Sequence, residues 1–386
     1  MNAVDLLRFH RSLLSDKVRL ESFRLAIEKC VKPGDVVLDL GSGTGVLAVF
    51  AARAGARCVY AIEASNIVGL ARAIVRENGV EDRVVFLDQM SPRVEVPEAA
   101  DVLVTETIGN FGFNEGILGW VEDARRRLLK PGATIVPQSI ELHACLIEAP
   151  ELYARICDWE SSGCGVNLQS ARAFAVNNLY PERIAPEWCL GAARSLGGVS
   201  LASMDSSKFD AETRFEVGRT GTLHGVCGWF SARLCDEVTI SNAPGDPAHS
   251  WNQVFLPFSS TVDVQAGDVL RLRVACRGNG GEWRWQLEAN PGMSSTAMTA
   301  RGGVRFDQST FFGAPESLGR LHRRAAGFAP ALNVDGRTVR FLLGLMDGSR
   351  TLEELSRLAF AEFPERFSDS DDALEQVRTV SAEFGS

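Results

Sequence analysis

Two glutamates, Glu106 and Glu115, stand nine residues apart on either side of a segment that contains glycine, asparagine and phenylalanine. The segment follows an apolar run at residues 101–105, which is predicted to be a β-strand. Open α/β sheets bind ligands at the carboxyl ends of their strands. Carboxylates there can hold a cationic nitrogen through charge-assisted hydrogen bonds. We therefore predict that both glutamates orient such an acceptor; the alternative is that they are solvated loop charges.

A glycine-rich turn supplies the second group of candidate residues. Gly41, Ser42 and Gly43 follow the apolar run Val36–Leu40 and precede a helical segment. Glycine permits a tight turn and lets the backbone approach a ligand closely, and the N-terminus of a helix favours a polar or anionic group. Glu63 ends the next strand, where a carboxylate can accept hydrogen bonds from ribose hydroxyls. The turn therefore predicts a site for a nucleoside-containing cofactor.

The spacing within this turn separates two classes of cofactor. Dinucleotide-binding folds have the pattern G-x-G-x-x-G, whereas here an acidic residue, Asp39, precedes G-x-G-x-G. The second pattern resembles motif I of class I methyltransferases, whose cofactor, S-adenosyl-L-methionine, has no pyrophosphate. The resemblance implies that the cofactor is held by Asp39, Gly41, Ser42, Gly43 and Glu63.

The order of predicted elements brings both groups to one edge of a sheet. Residues 1–30 have the apolar spacing of a helix, and short strands then alternate with helices as far as Pro137. This alternation predicts a parallel sheet with helices on both faces. The predicted strands are 36–40, 58–62, 84–87 and 101–105, and the predicted helices are 45–54, 67–78 and 117–129, the last ending at Lys130-Pro131-Gly132.

After Pro137, strand-like runs separated by turns dominate, which predicts a β-rich sandwich or barrel. These runs are 139–146, 222–234, 254–256, 261–264, 269–275 and 283–287. Residues 331–386 return to helix. We therefore predict an α/β chain with three parts: an N-terminal helix and Rossmann-like cofactor domain (1–137), a β-rich acceptor and dimerisation domain (138–330), and a helical appendage (331–386).

Several stretches resemble the protein arginine methyltransferase family, specifically over residues 36–137 and more loosely over residues 10–300. The segment with the two glutamates is similar to the family's double-glutamate loop, E-x-M-G-x-x-L-x-x-E. Arg19 lies in a stretch similar to the family's pre-motif, whose arginine reaches the cofactor carboxylate. Further similar stretches are 41–47, 50–56, 129–132, 135–137, 228–230 and 251–255. The resemblance also implies that Met90 and Ser91 lie near the adenine and that the chain forms a homodimer.

This resemblance suggests a specific role for the two glutamates. A guanidinium is planar and stays protonated at neutral pH. Two carboxylates can bind it through bidentate hydrogen bonds and aim one nitrogen at a methyl donor. For an ammonium acceptor, one glutamate would instead act as a general base.

The segments that would bind the acceptor depart from the family pattern. The N-terminal helix lacks the family's Tyr-Phe-x-x-Tyr segment, Ile108 replaces a methionine, and the family's Thr-His-Trp loop is His249-Ser250-Trp251. Trp251 is a candidate wall for a cationic acceptor through cation–π contact, or else a core residue. His249 is a candidate substrate-binding base, or else an exposed loop residue.

The leading prediction is an S-adenosylmethionine-dependent N-methyltransferase. We expect it to act on a guanidinium or amine of a small molecule or peptide in natural-product biosynthesis. One alternative is a protein arginine N-methyltransferase. The other is a catalytically inactive scaffold that keeps the methyltransferase fold.

The C-terminal appendage lies outside this resemblance. Residues 341–355 predict a helix, a turn at Gly348 and a second helix capped by Ser349 or Thr351. The segment resembles the helical part of small peptide-recognition modules of ribosomal peptide pathways. A helical cap on the β-rich domain or a dimer contact is equally compatible with it.

Composition restricts the remaining possibilities. The chain has 386 residues and a formal net charge of -9, which disfavours a nucleic-acid partner. No apolar run reaches the ~20 residues that span a bilayer, so we expect a cytoplasmic protein without a membrane partner. The nine cysteines lack zinc-ligand spacing, and no metal is expected.

Overall fold

The computed structural model describes residues 3–159, 165–247, 250–277, 280–289 and 305–385. The chain divides into two compact units, Met1–Pro315 and Glu316–Ser386. The helical unit therefore begins earlier than the predicted boundary at residue 331. The predicted boundary after residue 137 falls inside the first unit, where a parallel sheet gives way to antiparallel sheets.

The helices and strands have the following bounds. The helices are α1 (Ala3–Ser15), α2 (Lys17–Cys30), α3 (Val46–Arg53), α4 (Val68–Glu77), α5 (Ile117–Arg127), α6 (Pro150–Cys157), α7 (Arg172–Ala175), α8 (Leu318–Arg324), α9 (Val334–Leu345), α10 (Leu352–Glu362) and α11 (Ser370–Phe384). The strands are β1 (Val36–Leu40), β2 (Cys58–Ile62), β3 (Val84–Leu87), β4 (Ala100–Thr105), β5 (Leu129–Val136), β6 (Ser139–Ile147), β7 (Tyr180–Glu182), β8 (Arg194–Ser200), β9 (Phe209–Glu216), β10 (Gly221–Cys235), β11 (Val238–Ser241), β12 (Gln253–Val264), β13 (Val269–Arg277), β14 (Glu282–Ala289) and β15 (Arg305–Ser309).

The parallel sheet has the order β3-β2-β1-β4-β5 and confirms the predicted Rossmann-like fold. All five residues of β1 are buried, as expected for a central strand covered on both faces. In the register of the sheet, Leu40 pairs with Ile62 of β2 and with Thr105 of β4. The next residue of each strand therefore leaves the sheet at the same edge, and these residues are Gly41, Glu63 and Glu106.

The N-terminal segment differs from the single helix predicted over residues 1–30. It forms two helices that meet at Asp16, which has φ -80° and ψ 89° and caps α2 by accepting a hydrogen bond from the Arg19 amide at 3.0 Å. An aspartate at this position satisfies an amide that has no partner within the helix, so it begins a new helix. α2 then packs against α3, β5, β10 and β11, and so joins the two halves of the unit.

The β-rich half contains two antiparallel sheets, ordered β7-β12-β10-β6-β8 and β15-β14-β13-β9, with β11 paired to β10. Two predicted boundaries of helices and strands were wrong. Residues 254–256 and 261–264 belong to the single strand β12, and Lys130-Pro131-Gly132 lies within β5 instead of ending a helix. The interval 150–216, in which the sequence analysis predicts no helix or strand, contains α6, α7 and β7–β9.

The second unit is helical over its described residues, 316–385, and has its own apolar core. That core contains Leu342, Leu355, Phe363 and Val377. Thr351 and Glu354 form a capping box at the start of α10, as the predicted turn requires. No strand occurs among the described residues of this unit. In the described parts of the whole chain, none of the helices combines the length and apolarity needed to cross a membrane.

Candidate active site

The glycine-rich turn lies directly against the segment that follows β4. Gly41 has φ +77°, and a Cβ atom there would lie 2.8 Å from Cγ2 of Thr107, so the missing side chain lets the two loops approach. The amides of Gly41 and Ser42 donate to the carbonyl oxygen of Ile62 at 3.0 and 2.9 Å. The turn is therefore held by the ends of both neighbouring strands.

Glu63 is fixed at the edge of the sheet by two backbone amides. Its Oε2 accepts a hydrogen bond from the Gly43 amide, and its Oε1 accepts one from the Ser65 amide, both at 2.8 Å. The carboxylate thus lies across the turn at the edge of the sheet.

The side chain of Asp39 lies behind the turn and is not among the lining residues of the two cavities beside it. It is 1% exposed, and its Oδ2 accepts a hydrogen bond from the Ser42 hydroxyl at 2.8 Å. Burial raises its pKa to about 7, and the Ser42 hydrogen bond opposes this effect. Asp39 therefore positions the turn from behind, and its contact with the cofactor stays a prediction.

One cavity of about 370 Å³ brings most of the predicted residues together. Its lining includes Arg19, Gly41, Ser42, Gly43, Glu63, Glu106, Glu115 and Trp251. A second cavity of about 150 Å³ contains Met90 and Ser91 and shares Gly41, Glu63 and Thr107 with the first. The two cavities are adjacent, so the predicted cofactor and acceptor residues face one continuous region.

Arg19 lies between Glu106 and Trp251. Its guanidinium forms an ion pair with Glu106, and its Cζ atom is 5.0 Å from the centre of the Trp251 ring. Arg19 is 6% exposed, and burial lowers its pKa to about 10 although Asp16 and Glu115 oppose this shift. Glu106 therefore already binds a guanidinium within this cavity.

Glu115 lies on the other side of the double-glutamate loop. The residue is exposed and lines the cavity. Partial desolvation of its carboxylate by nearby protein atoms raises the pKa of Glu115, while the positive charge of Arg19 opposes the rise. The carbonyl oxygen of Glu115 accepts a hydrogen bond from Nε1 of Trp120 at 3.1 Å.

The loop between the two glutamates is held by polar contacts with the β-rich half. Nε1 of Trp251 donates to the carbonyl oxygen of Ile108 at 2.7 Å. Oδ1 of Asn110 accepts from the Asn252 amide at 2.6 Å, and the Asn110 carbonyl oxygen accepts from Nδ2 of Asn242 at 3.0 Å. These bonds fix the loop that carries Glu106 and Glu115.

Aromatic packing anchors the same loop from its other side. Phe111 is fully buried, and its ring centre is 4.8 Å from that of Trp283 on β14. A Cβ atom at Gly228 on β10 would lie 2.6 Å from Cε2 of Phe111, so glycine makes room for the ring. The phenylalanines of the loop thus serve packing, which sequence spacing alone did not indicate.

Asp16 and Ser250 connect the cofactor side to the acceptor side. Oδ2 of Asp16 accepts hydrogen bonds from the amide and the hydroxyl of Ser250 at 2.7 and 2.9 Å. Ser250 stands where the family resemblance expects a histidine. The other candidate in this loop, His249, lies outside the described residues.

His10 lines the site, although the sequence interpretation assigned it no role. It lines the larger cavity from α1, and its Cε1 atom is 3.1 Å from the position of a Cβ atom on Gly43. Burial lowers its pKa, while Glu63 opposes this shift. A signal was present, because Leu6, His10 and Leu13 recur at the spacing of one helical face.

The described residues contain no group of three or more histidine, cysteine, aspartate or glutamate side chains placed to hold a metal ion.

Comparison with known proteins adds independent information. Residues 138–286 match a family described as the arginine methyltransferase oligomerization subdomain, and residues 24–136 match one described as ribosomal protein L11 methyltransferase. Protein arginine N-methyltransferase 6 of Danio rerio is 32% identical over 274 residues, which cover 66% of this chain and 77% of that protein.

Other relatives agree. An arginine N(omega)-methyltransferase of Streptomyces achromogenes is 30% identical, with 69% of this chain and 75% of that protein covered. A probable protein arginine N-methyltransferase 6 of Arabidopsis thaliana is 30% identical, but the chain spans only 60% of its length. Among solved structures, the Trypanosoma brucei PRMT1 enzyme–prozyme complex has a TM-score of 0.69 at 24% identity, with 78% of this chain and 96% of that chain covered.

Proposed function

Because the chain belongs to the protein arginine N-methyltransferase family, we propose that its acceptor is the guanidinium of an arginine residue in a protein or peptide. The chain is an enzyme that uses S-adenosylmethionine to methylate nitrogen. The observation that carries the proposal is the placement of Glu106 and Glu115 in one cavity with the glycine-rich turn and Glu63. The relatives favour this function, predicted above as an alternative, over a small-molecule acceptor.

The residues around the cavity fit the cofactor. Nη1 of Arg19 and Oγ of Ser91 are buried and have no hydrogen-bond partner among the described residues. Because buried polar atoms nearly always have partners, these two atoms are suited to bind a ligand. Arg19 would bind the cofactor carboxylate, Glu63 the ribose hydroxyls, and Ser91 the adenine. When bound, S-adenosylmethionine supplies a methyl group on a sulfonium.

Glu106 and Glu115 would orient the acceptor. Two ionised carboxylates can hold a planar guanidinium through charge-assisted hydrogen bonds and leave one nitrogen pointing at the methyl group. The methylated guanidinium stays protonated, so each transfer releases one proton from the attacking nitrogen. Glu115, whose pKa is raised by desolvation, is suited to accept that proton.

Replacing Glu63 by glutamine should weaken cofactor binding more than it affects acceptor binding. An amide has one acceptor oxygen in place of two, and both carboxylate oxygens of Glu63 now bind backbone amides. We expect a loss of about 1.5–3 kcal/mol in the affinity for S-adenosylhomocysteine, measured by calorimetry. The matched control is Glu77→Gln on the exposed side of α4. Unchanged affinity in Glu63→Gln would show that this carboxylate does not bind the cofactor.

The pH dependence should reflect Glu115. Its carboxylate must be ionised to bind a guanidinium, and desolvation raises its pKa. Activity should therefore fall with decreasing pH at a higher pH than the ordinary glutamate value of about 4.3 would give. We would measure kcat/KM against pH for the wild type, Glu115→Gln and Asp39→Asn.

The decrease in kcat/KM at low pH should persist in Asp39→Asn. It should disappear in Glu115→Gln, and kcat/KM of that variant should be lower than that of the wild type. Asp39 is the necessary comparison because burial raises its pKa to about 7. If the decrease in kcat/KM at low pH disappeared only in Asp39→Asn, the titrating group would be Asp39 behind the glycine-rich turn instead of Glu115.

The acceptor is identified by a panel of matched compounds. Purified protein with S-adenosylmethionine would be offered an arginine-containing peptide, the same peptide with lysine or citrulline at that position, and free arginine. We expect methyl transfer to the arginine peptide and none to its lysine or citrulline forms. Transfer to free arginine alone would replace the protein acceptor with a small molecule, and transfer to lysine would overturn guanidinium specificity.

We also infer that two copies of the chain associate. The support is the match of residues 138–286 to an oligomerization subdomain. Light scattering coupled to size-exclusion chromatography should give the mass of a dimer or a larger assembly at micromolar concentration, and a monomer at all concentrations would contradict the inference.

A further inference from the structure

Asn110 lies between Glu106 and Glu115 in the sequence and lines the same cavity as these two glutamates. The Oδ1 atom of its half-buried side chain accepts a hydrogen bond from the Asn252 amide at 2.6 Å. Because a backbone amide only donates, this bond requires the oxygen of the carboxamide on the side of Asn252. The side-chain nitrogen, Nδ2, therefore lies on the side away from that bond.

The Nδ2 atom of Asn110 has no hydrogen-bond partner among the residues that the structure describes. This nitrogen has two N–H groups and accepts no hydrogen bond. A guanidinium also has donors only, so Nδ2 cannot bind the charged end of an arginine acceptor. The group that suits it is an oxygen atom of a ligand in the cavity.

A second asparagine beside the loop shows the contrast. Asn242 is 1% exposed, and its Oδ1 atom accepts a hydrogen bond from the Phe230 amide at 2.9 Å. Its Nδ2 atom donates to the carbonyl oxygens of Asn110 and Asn252 at 3.0 and 2.6 Å. Both polar atoms of Asn242 are thus occupied in holding the loop, whereas Asn110 has one atom anchored and the other available.

The position of Asn110 favours an oxygen of the acceptor over one of the cofactor. Its anchor, Asn252, directly follows Trp251, the predicted wall for the acceptor. Asn110 is not among the residues that line the smaller cavity, which contains Met90 and Ser91. An arginine side chain has no oxygen, so the nearest oxygens of an arginine acceptor belong to its main chain.

We propose that Asn110 is an acceptor-binding residue whose Nδ2 atom donates a hydrogen bond to a main-chain carbonyl oxygen of the arginine peptide. The inference rests on the proposed function and specifies how the same site distinguishes a peptide from a small guanidine. Because a main-chain carbonyl occurs at every residue, the contact adds affinity for peptides without restricting the side chains next to the arginine.

The experiment compares three compounds that share a guanidinium. An arginine peptide has main-chain carbonyl oxygens, free arginine has only carboxylate oxygens, and butylguanidine has no oxygen. KM would be measured for the peptide, and Ki for each small compound as a competitor of the peptide, in the wild type, Asn110→Asp and Asn110→Ala. The quantity to compare is the ratio of the peptide KM to the butylguanidine Ki, in which changes that affect every guanidinium equally cancel.

This ratio should rise about threefold to tenfold in Asn110→Ala, the range for the loss of one neutral hydrogen bond, and most of the loss should appear in KM instead of kcat. It should rise at least about tenfold in Asn110→Asp, because a carboxylate oxygen would then face the carbonyl oxygen. Asn110→Asp keeps an oxygen for the Asn252 amide, so the loop stays anchored. The added negative charge attracts the guanidinium of all three compounds.

Asn242→Ala is the matched control, because it loosens the same loop but leaves the side chain of Asn110 in place. It should weaken binding of the peptide and of butylguanidine in proportion and keep the wild-type ratio. An equal rise of the ratio in Asn242→Ala would assign the effect to the position of the loop and overturn the inference. If Asn242→Ala does not fold, Asn110→Asp, with its loop still anchored, makes the same distinction.

The remaining results separate the inference from the proposed function. A wild-type ratio in both Asn110 variants, with the peptide still methylated, would overturn the inference and leave the proposed function intact. A change confined to the Ki of free arginine would assign the contact to a carboxylate and likewise overturn the peptide carbonyl. If the wild type transferred no methyl group to the peptide, the proposed function would be contradicted and the inference would fail with it.

Discussion

Glu106→Gln should abolish most methyl transfer while the protein remains folded. Truncating one partner of a buried, hydrogen-bonded charge pair costs about 2–5 kcal/mol, which corresponds to a decrease in kcat/KM of roughly 30- to 5,000-fold. The side chain of Glu106 is 11% exposed and is bound to the guanidinium of Arg19. A glutamine at this position would lack the negative charge that attracts a guanidinium in this buried setting. Steady-state kinetics with an arginine peptide measures the loss.

The control for this prediction is a glutamate of the same domain outside the cavity. Glu122 is exposed on α5, and Glu122→Gln should keep wild-type kinetics. The affinity for S-adenosylhomocysteine should change little in Glu106→Gln, whereas the thermal unfolding temperature should fall, because the buried guanidinium of Arg19 loses its charged partner. If this variant kept wild-type kcat/KM, Glu106 would be a structural partner of Arg19 and no part of acceptor binding.

Arg19→Ala should lower both stability and cofactor affinity. It leaves the buried carboxylate of Glu106 without its partner, and breaking a buried ion pair in this way costs about 3–5 kcal/mol. It also removes a charge-assisted hydrogen bond to the cofactor carboxylate, worth about 1.5–3 kcal/mol, or roughly 10- to 150-fold in Kd.

Denaturant unfolding and calorimetry with S-adenosylhomocysteine separate these two effects. Arg24→Ala on the same helix is the matched control, because Arg24 makes only exposed ion pairs with Glu21 and Glu28. Arg19→Lys should recover part of the stability but not the affinity, since an ammonium cannot bind a carboxylate in a bidentate manner. Wild-type affinity in Arg19→Ala would exclude this arginine from the cofactor site.

The cofactor edge of the sheet was predictable because each signal is local. Gly41 and Glu63 directly follow apolar strands, and parallel strands that end in register bring such residues together. The same logic placed Glu106 after β4. Alternation of strands and helices was sufficient to predict the sheet itself.

Other features depend on contacts between distant parts of the chain. The break at Asp16 is one, since its carboxylate also binds Ser250, and helical spacing continues on both sides of it. The loop around Phe111 is another, because Trp283 holds it from a strand that lies far along the sequence. The burial of Asp39 behind the turn likewise follows from packing, which a motif does not describe.

The start of the helical unit also could not be predicted from the sequence pattern. The predicted start of the helical unit at residue 331 followed the first strong apolar helix pattern, whereas the compact unit begins at Glu316. The intervening residues include α8, which is polar and exposed, so hydrophobic periodicity could not assign it.

The location of the transferred methyl group distinguishes an arginine methyltransferase from every other function considered above. Wild-type protein, methyl-labelled S-adenosylmethionine and an arginine peptide would be combined, and the product analysed by tandem mass spectrometry. We expect the label on a terminal guanidino nitrogen of arginine. A label on any other atom of the peptide, or no transfer although S-adenosylhomocysteine binds, would contradict the proposed function.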